Sequence, residues 1–239
     1  MKLAVAQIAL SDSLDYNTRK VIRFLEQAGE IGLDLVCFPE MCLTGYSPAA
    51  LSPSDLDEKV GSALNIIQDR CGALGTGAIV GYGHKSGYAL FNRATVLLPH
   101  GERFHYDKIS LAESEKKYFQ PGKTIITFPC GDLKAGIIIC RDQNDPSLAC
   151  ELKSSGADIL FIPAAHYYTP KEARWKIEKN RALPIARAVE NKMHVLMANT
   201  VGTNVGLTSL GNSLIVDPDG CIVTQAGEAE ETLLALTAR

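Results

Sequence analysis

The stretch Ala135-Gly136-Ile137-Ile138-Ile139-Cys140-Arg141-Asp142 decides how this chain reads: an apolar, β-branched run that ends on a cysteine and a polar turn. Gly131-Asp132 precede it and a polar cluster closing at Pro146 follows. The run therefore reads as a central strand over 133–140, covered on both faces. A cysteine at the C-terminal end of such a strand lies where open α/β folds hold their ligands. On this stretch alone Cys140 is either a nucleophile or one more interior cysteine, because a free thiol behaves as a small hydrophobe.

Outward from that strand the same scheme recurs. Upstream, strands are expected over 2–8, 33–38, 78–84, 89–98 and 103–107. The first helix, over 15–32, carries Val21, Ile22, Leu25 and Ala28 on one face. A second opens at Ser52-Pro53-Ser54-Asp55 and carries Val60, Leu64, Ile67 and Cys71. Downstream, helices over 146–155 and 171–192 alternate with strands over 158–162, 195–199, 213–216 and 222–224. Pro184 is expected to kink or split the longer helix. The halves echo each other, with Asp34 to Pro39-Glu40 matched by Asp158 to Pro163-Ala164. The expected architecture is one α/β domain over 1–239, two pseudo-repeated βαβαββ halves forming a four-layer αββα sandwich. Since the second copy ends in Ala164, the turn itself does not demand the carboxylate of Glu40.

Composition bounds the partners. The 239 residues are 46% hydrophobic and 21% charged with a formal net charge of −3, an ordinary globular balance without a basic footprint. Nucleic acid and membrane surfaces are excluded as expected partners, which leaves a small molecule. No apolar run has the length of a secretion signal or a membrane span. The seven cysteines are odd in number and lack CxxC spacing, which reads as reduced thiols in a cytoplasmic protein. His84, His105, His166 and His194 are scattered without metal-ligand spacing, so neither metal nor cofactor is expected. His166 stands apart because it follows the strand that echoes the one before Glu40, where it could line a pocket.

A cysteine nucleophile needs a proton acceptor, and attack on a carbonyl needs donors for the oxyanion. Glu40, Lys108 and Glu115 are the polar residues at suggestive positions, and a lysine and a glutamate held close favour each other's charged forms.

These residues, in order, carry a resemblance. Phe38-Pro39-Glu40 running into Leu43-Thr44-Gly45-Tyr46, then Phe91-Asn92-Arg93-Ala94, Tyr106-Asp107-Lys108-Ile109-Ser110-Leu111, Ile139-Cys140-Arg141-Asp142, Arg187 to Asn191, Asn199 and Gly211-Asn212-Ser213 resemble the nitrilase, or carbon-nitrogen hydrolase, superfamily. The resemblance implies the αββα fold, a Glu40, Lys108 and Cys140 constellation, and Glu115 as a second glutamate orienting the lysine, although Glu113 lies two residues away. It implies a hydrolase that cleaves a small-molecule amide through a cysteine thioester, releasing ammonia or amine. Tyr46, Arg141, Ala165 and His166 are the expected substrate-binding residues. Nitrile specialists in the superfamily tend to carry Trp-Glu after the cysteine, whereas Arg141-Asp142 is nearer the amidase pattern. Arg141 either turns into solvent or offers a cation that favours acidic substrates. Asn144-Asp145-Pro146-Ser147 replaces the usual Phe-Pro-Glu. A nitrilase, an N-carbamoyl amide hydrolase and a silent small-amide-binding protein are the competing readings. A homodimer or larger assembly is implied, paired through the outer helices, where Ala173, Ile177, Ile185 and Val189 need cover.

Overall fold

The computed structural model describes residues 1–204 and 206–237. Strand β1 (Lys2–Ala9) leads into helix α1 (Leu14–Glu30), whose N-terminus is capped by the Ser13 side chain accepting from the Tyr16 N–H. Then come β2 (Leu35–Cys37), a single turn α2 (Pro48–Leu51) capped by Ser47, and α3 (Leu56–Leu74). Asp55, not Ser52, occupies the N-cap of α3, and the separate turn α2 precedes it where one longer helix start was expected. The hairpin β3 (Gly77–Ser86) and β4 (Ala89–Leu97) continues antiparallel into β5 (Arg103–Asp107).

The second half begins with a strand absent from the expected set, β6 (Thr127–Cys130), paired with β7 (Leu133–Ile137). Helix α4 (Pro146–Ser154), β8 (Ile159–Pro163), α5 (Pro170–Trp175), α6 (Ile177–Asn191) and β9 (His194–Ala198) follow. The long helical segment divides at Lys176. Pro184, expected to divide it, lies inside α6. The chain ends with β10 (Thr200–Asn204), β11 (Leu207–Leu210), β12 (Leu214–Val216), β13 (Ile222–Gln225) and β14 (Thr232–Thr237).

Two sheets result. One runs β11-β10-β1-β2-β3-β4-β5 with β14 also on β1, and the other runs β13-β12-β9-β8-β7-β6. The halves are therefore not segregated: β10, β11 and β14 cross from the second half to complete the first sheet beside β1. Three apolar clusters separate four layers. Val21, Leu25 and Ile67 pack the first sheet on its helices, and Leu152, Ala188 and Met193 do so for the second. Between the sheets, Val5, Ile79, Phe128, Ile137 and Phe161 form the middle cluster. The fold is the αββα sandwich. The parallel strands β2, β7 and β8 all release their chains at one end of it, which is where the site forms.

Candidate active site

Glu40 follows β2 in a tight turn whose next residue, Met41, has φ +55°. The turn lies directly on β3 at Gly81, where a Cβ would sit 2.5 Å from the Met41 amide nitrogen, so only glycine admits the approach. Lys108 follows β5, and its N–H donates to Asn92 O at 2.9 Å. Cys140 is not the last residue of a strand, as expected from the apolar run. The β7 ladder stops at Ile137, and Cys140, at φ +44°, opens a 3₁₀ turn over Cys140–Asn144. That left-handed backbone turns the half-buried thiol out of the sheet and into a cavity.

Asp142 holds this turn. Its fully buried carboxylate accepts from Ile139 N at 2.9 Å, Ser110 N at 2.6 Å and Tyr106 Oη at 2.7 Å. Burial raises its pKa, and these three donors oppose the rise. Downstream, Asp145 accepts from Ser147 N at 3.0 Å and Pro146 starts α4, so the altered Asn144 to Ser147 segment closes as a helix cap.

The polar centre is dense. Lys108 Nζ donates to Glu40 Oε1 at 2.7 Å and to Glu115 Oε1 and Oε2 at 2.9 and 2.8 Å. Lys108, Glu40 and Glu115 are 2%, 1% and 7% exposed, so this is a buried triad. Burial works against the Lys108 charge, but Glu40, Cys140 and Glu115 overcome it and raise the ammonium pKa above its ordinary value. Glu115 also accepts from Ala112 N at 2.7 Å, whereas Glu113 is exposed and pairs with Lys116. Glu40 Oε2 is buried without a hydrogen-bond partner among the described residues. Burial and then the Glu40 charge push the Cys140 thiol well above its usual range, while Lys108 and the Ala165 N–H pull it back. Tyr46 stands beside Glu40, and burial followed by the two carboxylates raises its phenol in the same way.

One cavity of about 670 Å³ is lined by Glu40, Tyr46, Lys108, Glu115 and Cys140 together with Arg141, Ala165 and His166. All eight expected site residues thus meet in one place. Sequence reasoning gave no role to Asn92, whose Nδ2 donates to Glu40 Oε1 at 2.7 Å and Glu115 Oε1 at 3.1 Å, or to Asp142. The available signal was a polar residue at a strand position, for Asn92, and one two residues after the cysteine, for Asp142. Among the described residues no group of His, Cys, Asp and Glu is arranged to hold a metal ion.

The His166 backbone N–H donates to Asn199 Oδ1 at 3.0 Å, its ring stacks on Tyr168, and burial holds the imidazole down at about 4 against an ordinary 6.5. Between those values the unfolded chain binds a proton that the folded chain refuses, so stability falls as pH falls through that window. From pH 7 to pH 4 this group alone costs about 3 kcal/mol. Urea unfolding of the wild type and His166→Asn at both pH values should show the variant losing less stability. Equal losses would contradict the buried neutral imidazole.

A family model described as carbon-nitrogen hydrolase matches residues 2–238. The chain is 33% identical over 223 residues to a nitrilase of Pyrococcus abyssi, covering 91% of this chain and 81% of that one. It is 27% identical over 235 residues to an (R)-stereoselective amidase of a Pseudomonas species, covering 96% and 82%. An amidase from a Nesterenkonia species shares the fold with a TM-score of 0.87 at 25% identity, over 99% of this chain and 89% of that chain. With the match running along almost every residue, the chain belongs to the carbon-nitrogen hydrolase family.

Proposed function

We propose that this carbon-nitrogen hydrolase is an amidase that works through a Cys140 thioester. The observation that carries the reading is the Lys108 ammonium between Glu40 and Glu115, with one Glu40 oxygen left unpartnered in the cavity that Cys140 enters. Glu40 takes the thiol proton as Sγ attacks the amide carbonyl carbon. Lys108 Nζ and the Arg141 N–H hold the resulting oxyanion. Glu40 then delivers the proton to the departing nitrogen, the C–N bond breaks, and ammonia or amine leaves. A water deprotonated by Glu40 attacks the thioester, the C–S bond breaks, and the proton returns to sulfur. Glu115 orients Lys108 throughout, and Tyr46, Ala165 and His166 bound the substrate.

The amide is favoured over the nitrile because Asp142 is bound to its three donors and only Arg141 of that pair lines the cavity. The nitrilase relative keeps the second reading in play. Ammonia release from a panel of primary amides, carbamoyl compounds and nitriles tests both. Each amide is expected to turn over faster than its matched nitrile, and a nitrile turned over faster than its amide would overturn the assignment.

The same proposal places the enzyme in the cytoplasm, supported by seven unpaired cysteines of which Cys150 and Cys221 are exposed. No helix among the described residues is long and apolar enough to cross a membrane. It also includes a homodimer or larger assembly. Of the four residues expected to need cover, Ala173 is already buried and Ile177 and Ile185 are half-buried. Val189 remains 43% exposed, and Trp175 on the same layer is 76% exposed. Sedimentation at micromolar concentration that finds only the 25.8 kDa species would remove this part.

A further inference from the structure

The reaction described above gives Asn92 no task, although its side chain stands at the centre of the buried polar group. Asn92 lies on β4 opposite Gly83 of β3, and its backbone O accepts from Lys108 N at 2.9 Å. It is 1% exposed and does not line the cavity, so it touches no substrate. The two N–H bonds of its amide go one to each glutamate, to Glu40 Oε1 at 2.7 Å and to Glu115 Oε1 at 3.1 Å. The opposite orientation would set Oδ1 against two carboxylates, so the network fixes which atom is nitrogen. Oδ1 itself is buried without a hydrogen-bond partner among the described residues. An apolar side chain of this size would avoid that orphan acceptor, so what the amide contributes here is its pair of donors.

Those donors make the two glutamates unlike. A carboxylate offers about four lone-pair sites. On Glu115, Oε1 accepts from Lys108 and Asn92, and Oε2 accepts from Lys108 and the Ala112 N–H, which leaves no site for a proton. On Glu40, Oε1 is filled in the same way by Lys108 and Asn92, whereas Oε2 accepts nothing among the described residues. The other titratable groups that face Glu40 are Tyr46 in its own turn, Cys140 beyond β7, and His166 and Tyr168 beyond β8, and none of them donates to Oε2.

We propose that Asn92 is a positioning residue for the proton transfers: with Lys108 it fills Glu40 Oε1, so that Oε2 alone carries the proton from the Cys140 thiol to the departing nitrogen and from the hydrolytic water back to sulfur. The proposal rests on the amidase reading for those steps, and the first readout below needs no amide.

Asn92→Leu keeps the volume and removes both donors, and Asn92→Ser, smaller and polar, serves should the leucine variant not fold. Modification of Cys140 by limiting iodoacetamide is quantified by peptide mapping from about pH 4 to 9, which brackets the ordinary carboxylate and thiol values. A donor to a carboxylate favours its anion, so without the amide Glu40 takes up its proton at higher pH. The acid limb of the Cys140 profile is expected to move up by about one pH unit, the scale of one hydrogen bond to a charged group. A residue that served packing alone would lower the melting temperature and slow modification equally at every pH, and an acid limb left in place in the folded variant would overturn the proposal. Ammonia release from the best amide is then read at neutral pH. Turnover should fall about ten-fold with KM unchanged. A raised KM with full turnover would overturn the role by placing Asn92 against substrate. A protein whose Cys140 profile shifts on losing Asn92 yet cleaves no amide keeps the Asn92 role and loses the amidase.

Discussion

Cys140→Ser is expected to lower turnover by at least about 10⁴-fold, the scale seen when a nucleophile is removed from a site whose members act together. Its melting temperature should stay close to that of the wild type. The exchange changes one atom in a half-buried position, and the Asp142 bonds that hold the turn do not involve the side chain. The alcohol gives up its proton far less readily than the thiol, and burial and the Glu40 charge already oppose an anion at this position. The other cysteines give the control. Cys37, Cys42, Cys71 and Cys130 are buried and line no part of the cavity, so all four resist alkylation, whereas Cys140 opens into the cavity beside Glu40. Cys150 and Cys221 are exposed and will react without consequence. Peptide mapping after limiting iodoacetamide should show inactivation tracking Cys140. Inactivation with Cys140 unmodified would defeat the assignment.

Lys108→Met is the second large effect, and it strikes stability and rate together. The ammonium holds two carboxylates that are almost wholly out of water, and among the described residues Asn92 is the only other side chain donating to both. Removing one partner from a buried ion pair costs about 3–5 kcal/mol, because the remaining charge is stranded. In the variant the two carboxylates relieve this by sharing a proton that the unfolded chain releases at neutral pH. The folded form then binds more protons than the unfolded one, so the stability of the variant should fall as pH rises from about 5 to 7. Turnover should drop by at least about 10³-fold with the oxyanion donor gone. Glu115→Gln is the milder companion: it keeps a group able to reach Lys108 and should cost about 10²-fold in turnover with little change in melting. Guanidinium unfolding at the two pH values decides the matter, and a Lys108→Met protein as stable as the wild type at pH 7 would contradict the buried triad.

The layer order was legible because helix and strand periodicities alternate strongly from Lys2 to Ala198, and the echo of Asp34 to Pro39 in Asp158 to Pro163 marks equivalent strands. What stayed hidden has local causes. Pro129 argues against a strand, yet β6 tolerates it because β6 is the edge of its sheet and Pro129 faces solvent. Strand β10 carries Gly202, Thr203 and Asn204, a polar stretch held as strand by antiparallel pairing with β11, while β1 takes only Thr200 and Val201. The run Ile137-Ile138-Ile139 conceals the end of β7 because β-branched residues continue the strand signal after the ladder has stopped. The site residues were visible as chemical types, but Glu113 and Glu115 differ only in which one the fold buries. Lys176, Lys179 and Asn180 could not be joined to the cavity from sequence, since their helix starts at a break that no proline or glycine announces.

The carboxylate of Asp142 draws its donors from two different sheets. Tyr106 and Ser110 stand two residues before and two after Lys108, at the end of β5 in one sheet, while Ile139 immediately precedes Cys140 beyond β7 in the other. Much of the remaining contact between the sheets is apolar, through side chains such as Val5, Ile79 and Phe128, which pack without directional bonds. A 1 Å error in the placement of reacting groups can cost about 10²-fold in rate. Asp142 therefore works as a mechanical tie: thermal slippage of one half of the molecule over the other is stopped at the point where sulfur and ammonium must keep their distance.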